Sequence, residues 1–415
     1  MVSIIARTHH GRATPAPEGR QSLSMFAVLS TPRNLLIRVF AMLSLIVIAA
    51  CEPVPFGEGQ MINTGAPVPV ALLVPRGSGN AGDDILAQSL ENAARLAITD
   101  LDGIKIDLRV YDTAGDPALA KGQAEKAVSE GAKIILGPVY SAEANAVSVG
   151  VAGKNVNVLS FSNNSTIAGG NLFILGPTFE NTANRLVRFA SGQGKGNLVI
   201  AHDTNLAGQL GKNAIQTAIG RTGGASMAAA VGYEFSQQGV VDAIPQIEGA
   251  VKSGAANALF LTANTDGALP LVTQLLLEAG VNPQNVQYMG LTRWDVPAQT
   301  LELPGVQGAW FAMPDPTLTE RFSSRYMAAY GEQPHSIGGL AYDGIAAIGA
   351  LVQAGHSDAL TITALTQSAG FQGVNGIMRL RVDGTNERGL AVAQIQNKKV
   401  VIIDPAPRVF EGGGL

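Results

Sequence analysis

Residues 134–164 read IILGPVYSAEANAVSVGVAGKNVNVLSFSNN, and the architecture follows from this run. Residues 134–136 form a short apolar segment suited to a buried strand, which stops at Gly137-Pro138. A helical pattern starts near Ser141. A second apolar run, 156–159, opens into Ser160, Ser162, Asn163 and Asn164. Strand, crossover helix and strand make a parallel unit, so both loops leave the same edge of the sheet. Free N–H groups at the helix start and a cluster of hydroxyls and amides then face one crevice. A doubly wound α/β domain builds its small-molecule site in this way.

Outward from this run the same alternation continues. Upstream, the reading gives strands over 70–74 and 106–111 and helices over 86–101 and 117–130. A glycine-rich loop, 75–82, precedes the first helix, with Asp83 or Asp84 as its expected cap, and Asp116 caps the second with Pro117 at the first helical position. Downstream come a strand over 172–175 and a helix over 181–191. From Asn197 the alternation restarts, with strands over 198–201, 225–233, 258–262 and 286–289 and helices over 206–220, 243–253 and 269–279. This restart marks a second α/β domain. A strand over 310–313 and helices over 318–330 and 340–354 follow. The segments 378–382, 390–396 and 400–403 alternate at period two around turns at Asp383-Gly384 and Asn397-Lys398, which predicts an antiparallel hairpin region and a loose tail over 404–415.

The chain has 415 residues, enough for two domains, and is 46% hydrophobic with 14% charged, a globular composition. A net charge of −4 with no basic run interleaved with aromatics gives no case for nucleic-acid binding. The single cysteine, Cys51, follows Arg33, Arg38 and an apolar run over 39–50, too short for a membrane span and of the right length for a signal-peptide core. The run ends Ile48-Ala49-Ala50-Cys51, which resembles the bacterial lipobox, where cleavage precedes a cysteine that is then lipid-modified. Residues 1–50 are therefore expected as a lipoprotein signal peptide, with Met25 a plausible true start, and 51–69, rich in proline and glycine, as a tether. Glu52 after the cysteine favours the outer membrane as the address.

Nothing points to catalysis. The expected mature chain has His202, His335 and His356, and no H-E-x-x-H, G-x-S-x-G, C-x-x-C or Walker-type loop. His202-Asp203 is an acid–base pair without a nucleophile, and no metal or cofactor set is legible. Arg76 reads as a solvated loop charge or a cleft residue. Arg293-Trp294 reads as a packed loop anchor, with a ligand clamp or a protein contact as the alternatives.

Four strings carry a family resemblance: SLENAARLAITDL (89–101), YDTAGDPALAKGQAEKAVSEGAKIILGPVYSAEANAV (111–147), AYDGIAAIGALVQA (341–354) and GIMRLRVDGTNERG (376–389). Over about 69–403 the chain resembles the type I periplasmic solute-binding proteins, in their leucine/isoleucine/valine-binding subgroup. The resemblance implies two doubly wound parallel-sheet lobes, joined by a three-crossover hinge and closing on a ligand. With crossings near Gly176, Gly290 and Asp383, lobe one comprises 70–175 plus 291–381 and lobe two 176–290 plus 382–403.

The resemblance places ligand contacts at Ser141 and the adjoining Tyr140, in the G-P-x-x-S turn. It also places them at Ser160, Ser162, Asn163 and Asn164, where the family has S-P-x-x-T/S. In lobe two the family carries an aromatic in D-x-x-x-[YF]-G. Here 203–208 read D-T-N-L-A-G, which leaves Asn205 but no aromatic. Asp266 is the candidate partner for a ligand ammonium. Each has a plainer reading: Ser141 as a helix cap, 160–164 as a turn bonded to itself, Asp266 as a helix cap.

The implied function is a lipid-anchored periplasmic receptor that delivers an amino acid or similar polar solute to an inner-membrane ABC permease. The competing reading is an envelope lipoprotein that activates a penicillin-binding protein, its cleft vestigial.

Overall fold

The computed structural model describes residues 58–253 and 256–410. The signal segment, Cys51 and the tether as far as residue 57 lie outside the described residues.

The first sheet is built from β1 (Val68–Val74), α1 (Ala81–Thr99), β2 (Ile106–Asp112), α2 (Pro117–Ser129), β3 (Ile134–Leu136), α3 (Ser141–Val151), β4 (Asn157–Ser160) and β5 (Leu172–Ile174). Its strand order is β2-β1-β3-β4-β5, parallel throughout. β1, β3 and β4 are apolar on both faces because helices cover both sides. Val70, Leu72 and Leu136 pack on one side, and Ala71, Leu73 and Ile135 on the other. Gly137 ends β3 at φ +89, and a Cβ there would lie 2.3 Å from the Leu73 carbonyl oxygen, so the turn requires glycine.

α4 (Phe179–Gly192) leads into the second sheet. Thr178 and Asn181 close a reciprocal capping box at its start, an arrangement worth about 1 kcal/mol. Then come β6 (Asn197–Asp203), α5 (Leu206–Arg221), β7 (Ser226–Tyr233), α6 (Gln237–Ser253), β8 (Ala258–Leu261), α7 (Leu269–Glu278), β9 (Gln287–Gly290) and β10 (Trp310–Met313). α8 (Pro316–Tyr330), α9 (Gly339–Gln353) and α10 (Ile362–Leu365) follow, and then five strands: β11 (Phe371–Gly373), β12 (Gly376–Leu380), β13 (Asn386–Arg388), β14 (Ala391–Gln396) and β15 (Lys399–Asp404). The second sheet runs β15-β14-β10-β9-β8-β6-β7, and β11-β12-β13 form a small antiparallel sheet.

Several expectations are corrected. β10 was expected in lobe one, but it pairs in parallel with β9 and antiparallel with β14, so the chain crosses back between Met313 and Pro316 rather than near Gly290. From α8 onward, Phe322 and Tyr326 join the first core. The third crossing follows β13 rather than Asp383, because β12 pairs with β13, a strand the sequence reading omitted. The hairpin region is thus divided between two sheets, with β14 and β15 forming the hairpin on the second.

The tether is shorter than 51–69. The Ile62 N–H donates to the Ser357 carbonyl at 2.8 Å, and Ile62 is buried in the first core. The tail is not loose as far as 410. Asp404 pairs with Arg185 at 2.6 Å, and Phe410 is buried beneath the Arg379 guanidinium. The helix α1 is capped by Asn80, whose side chain accepts from the Gly82 N–H, not by Asp83 or Asp84.

Among the described residues, no helix is long and apolar enough to cross a membrane.

Candidate functional site

On the first sheet, the predicted residues do lie together at the ends of β3 and β4. Ser141 is the first residue of α3 and half-buried, and the preceding Tyr140 supplies no capping side-chain bond. The Tyr140 hydroxyl instead donates to Asp83, and that bond first, then burial, pushes the phenol up to about 12.

The loop after β4 is bonded to itself. The Ser160 hydroxyl donates to the Pro138 carbonyl at 2.9 Å. The backbone N–H of Ser162 donates to Ser160 Oγ, that of Asn164 to Ser162 Oγ, and that of Thr166 to Asn164 Oδ1. Asn163 is exposed. Three of the loop's N–H groups, those of Ser162, Asn164 and Thr166, are thus engaged within the turn, while the start of α3 carries no side-chain cap.

The wall is also acidic. Glu143 at the third helical position is fully buried, and burial raises its carboxyl, with Asp83 and Asp116 adding to the rise. Arg76 is paired with Glu91 at 2.9 Å and Asp112 at 3.0 Å.

On the second sheet a pocket of about 180 Å³ opens at the carboxyl ends of four strands. β6 contributes Asp203, β8 leads to Thr262, Asn264 and Asp266, β9 leads to Thr292, and Phe235 follows β7. Phe179 from the start of α4, Asn205, Ala207 and Gly208 from the start of α5, and Gly267 before α7 complete it. Asn205 Oδ1 accepts from the Gly208 N–H at 2.8 Å and so caps α5. Gly208 lets the helix start close in, since a Cβ there would meet the Asp203 carbonyl oxygen at 2.1 Å. Asn205 and Asp266, predicted from separate strings, are thus brought to one cavity. Asp266 sits in the turn before α7 and does not cap it.

Asp203 is the buried charge of this pocket. It is 7% exposed, Oδ2 accepts from the Tyr233 hydroxyl at 3.1 Å, and Oδ1 has no hydrogen-bond partner. Burial pushes its carboxyl above the usual range, against the pull of Tyr233. The sequence reading has Asp203 as half of an acid–base pair and as the first residue of the D-T-N-L-A-G string, not as a ligand contact. His202 instead turns its Nδ1 to the Asp203 carbonyl oxygen at 2.8 Å, and no dyad forms.

Phe235, 62% exposed at the rim, supplies an aromatic that 203–208 lack, from a different strand end. Phe179, Thr262, Asn264 and Thr292 were likewise missed. Their shared signal is position, within a few residues of a strand's carboxyl end or a helix start. Trp294 is fully buried, and the Gly290 Cα lies so close beneath its indole that a Cβ would meet it at 2.3 Å. Arg293 is paired with Asp295, which supports the anchor reading of this loop.

The two walls meet at the first crossing. The Ser165 hydroxyl, in the loop after β4, donates to Glu180 at 2.9 Å, one residue beyond Phe179. Among the described residues, no group of three or more His, Cys, Asp or Glu side chains is placed to hold a metal ion.

Comparison with known proteins agrees with this architecture. No curated protein matches the chain. Among solved structures, a Rhodospirillum rubrum protein assigned to branched-chain amino acid ABC transport superposes with a TM-score of 0.69 at 18% identity, covering 81% of this chain and 100% of its own. A branched-chain amino acid ABC transporter periplasmic ligand-binding protein from Burkholderia xenovorans gives 0.65 at 18% identity, over 81% and 96%. An ABC transporter substrate-binding protein from Desulfitobacterium hafniense, in complex with Leu, gives 0.60 at 17% identity, over 81% and 100%. At these identities the likeness establishes the fold. The periplasmic binding protein family matches residues 67–399. That match runs from the start of β1 to the first residue of β15 and takes in both sheets, and the chain belongs to the periplasmic binding protein family.

Proposed function

We propose that this protein is a lipid-anchored periplasmic receptor that binds a small polar solute between its two sheets and presents it to an inner-membrane ABC permease. The observation that carries the reading is the second-sheet pocket, lined by Asp203, whose buried Oδ1 has no hydrogen-bond partner. A buried polar atom without a partner costs roughly 1–3 kcal/mol, a cost that a bound solute relieves. Phe235 of the lining and Leu206, beside Asn205 in sequence, stand exposed, an apolar surface that closure of the lobes would cover. Ligand binding would select the closed state by its differential affinity, with the three crossings as the hinge. Cys51 would carry the lipid, and the tether up to residue 57 would hold the body off the membrane.

A second reading, an envelope scaffold that activates a penicillin-binding protein, is favoured by one observation: the self-bonded loop of Ser160, Ser162 and Asn164. A thermal-shift screen of the mature chain against amino acids, amines, sugars and organic acids separates the two. Stabilisation by one solute class supports the receptor. No shift with any solute, together with capture of a penicillin-binding protein from solubilised envelopes, overturns it in favour of the scaffold.

A further inference from the structure

Resting on the receptor reading, we infer that the solute is a primary alkylammonium ion without a neighbouring carboxylate, an amine rather than an amino acid. The second-sheet pocket supplies the recognition. Asp203 lines it with a side chain whose Oδ1 is buried and has no hydrogen-bond partner, and Asp266 adds a second acidic group to the lining. None of the lining residues carries a positive charge. The start of α5 contributes the opposite sign, but a helix end amounts to about half a charge, and Asn205 already occupies one of its N–H groups. Two carboxylates outweigh it.

The chemistry also selects among cations. Asp203 Oδ1 requires a hydrogen-bond donor, and Asn264 and Thr292 add oxygen acceptors to the lining, whereas Asn205 Oδ1 and Thr262 Oγ1 already accept from the Gly208 and Asp203 N–H groups. An ammonium with N–H bonds satisfies them, and a quaternary ammonium does not. Phe179 and Phe235 provide faces for an alkyl chain and for the cation itself.

The opposite wall argues against the carboxylate of an amino acid. Its loop N–H groups at Ser162, Asn164 and Thr166 are engaged within the loop, which leaves the uncapped start of α3, at Ser141, as the place for an anion. A carboxylate at Ser141 would approach Tyr140, which is bonded to Asp83, and the Glu143 group, which senses both Asp83 and Asp116. Arg76, in the loop after β1, is held by two carboxylates. An incoming anion there therefore meets the acidic side chains of Asp83 and Glu143.

Three probes share one branched tail and differ only at the head: isoamylamine, leucine and isoamyl alcohol. Isothermal titration calorimetry on the mature chain is expected to show isoamylamine binding about tenfold or more tighter than leucine, and tighter still than the alcohol. Asp203→Asn should weaken the amine by about tenfold or more, and Phe235→Ala, at an exposed position that folding does not require, by a few fold. Leucine binding as tightly as the amine, or the alcohol doing so, overturns the inference. If leucine or another solute stabilises the chain while isoamylamine does not, the receptor reading stands and the amine class falls. If no solute in the broader screen binds, both fall.

Discussion

The Arg388 guanidinium and the Asp343 carboxylate form an ion pair with almost no solvent contact, Nη1 to Oδ2 at 3.4 Å, where the crossings between the two sheets lie side by side. The same guanidinium donates from Nε to the Leu175 carbonyl at 3.1 Å, just before the first crossing. Asp343 in turn accepts from the Val374 N–H at 2.7 Å and from Asn375 Nδ2 at 2.9 Å. Asn386, two residues before Arg388, donates to the carbonyls of Ile174 and Gly176. The first and third crossings are thus joined by side-chain bonds, and α9 is tied to both.

Removing one member of this pair strands the other in a dry interior. Asp343→Asn or Arg388→Met is expected to cost about 3–5 kcal/mol in urea unfolding. The double variant Asp343→Leu with Arg388→Met should lose clearly less than the sum of the single losses, because no unpaired charge remains.

Gly137→Ala forces a side chain into the left-handed region and against the Leu73 carbonyl. Thermal unfolding should show a loss of about 1–3 kcal/mol or more.

Ser160→Ala tests whether the loop after β4 is structural. The hydroxyl joins the Pro138 carbonyl to the Ser162 N–H, so its removal should cost about 1–3 kcal/mol of stability. Affinity for the amine probe, measured by calorimetry, should stay within about twofold of the parent.

Asp203→Asn should stabilise the unliganded protein at neutral pH while it weakens binding. Burial raises the Asp203 carboxyl above its ordinary value, so folding takes up a proton there. The stability tied to this group is fully present below the unfolded carboxylate range, about 4, and is lost as pH rises through the folded value. Asparagine keeps an acceptor for Tyr233 and carries no charge. The Tm gain should be largest near pH 7 and shrink on acidification, measured by a pH series of thermal scans.

Cys51→Ala should abolish incorporation of labelled palmitate and move the protein from the membrane fraction to the soluble fraction of the envelope. Retained labelling would place the anchor elsewhere.

The sequence by itself determined the elements and their alternation. A buried run such as 134–136 closed by Gly137-Pro138, or a helix opened by Asp116-Pro117, depends on local sterics and periodicity, and these are written in neighbouring residues. It also carried the family, because the strand-to-helix turns lie at fixed spacing. Tertiary structure alone decided where the short strands go. Four buried residues at 310–313 read the same on either sheet, and only pairing with β9 and β14 assigns them. It decided the pocket too, which gathers Phe179, Asp203, Phe235, Asp266 and Thr292 from five separate strand or helix ends. Whether a carboxylate such as Asp203 finds a partner depends on what long-range packing brings beside it. Tyr233 reaches one of its oxygens, nothing reaches the other, and no local pattern in the chain records that difference.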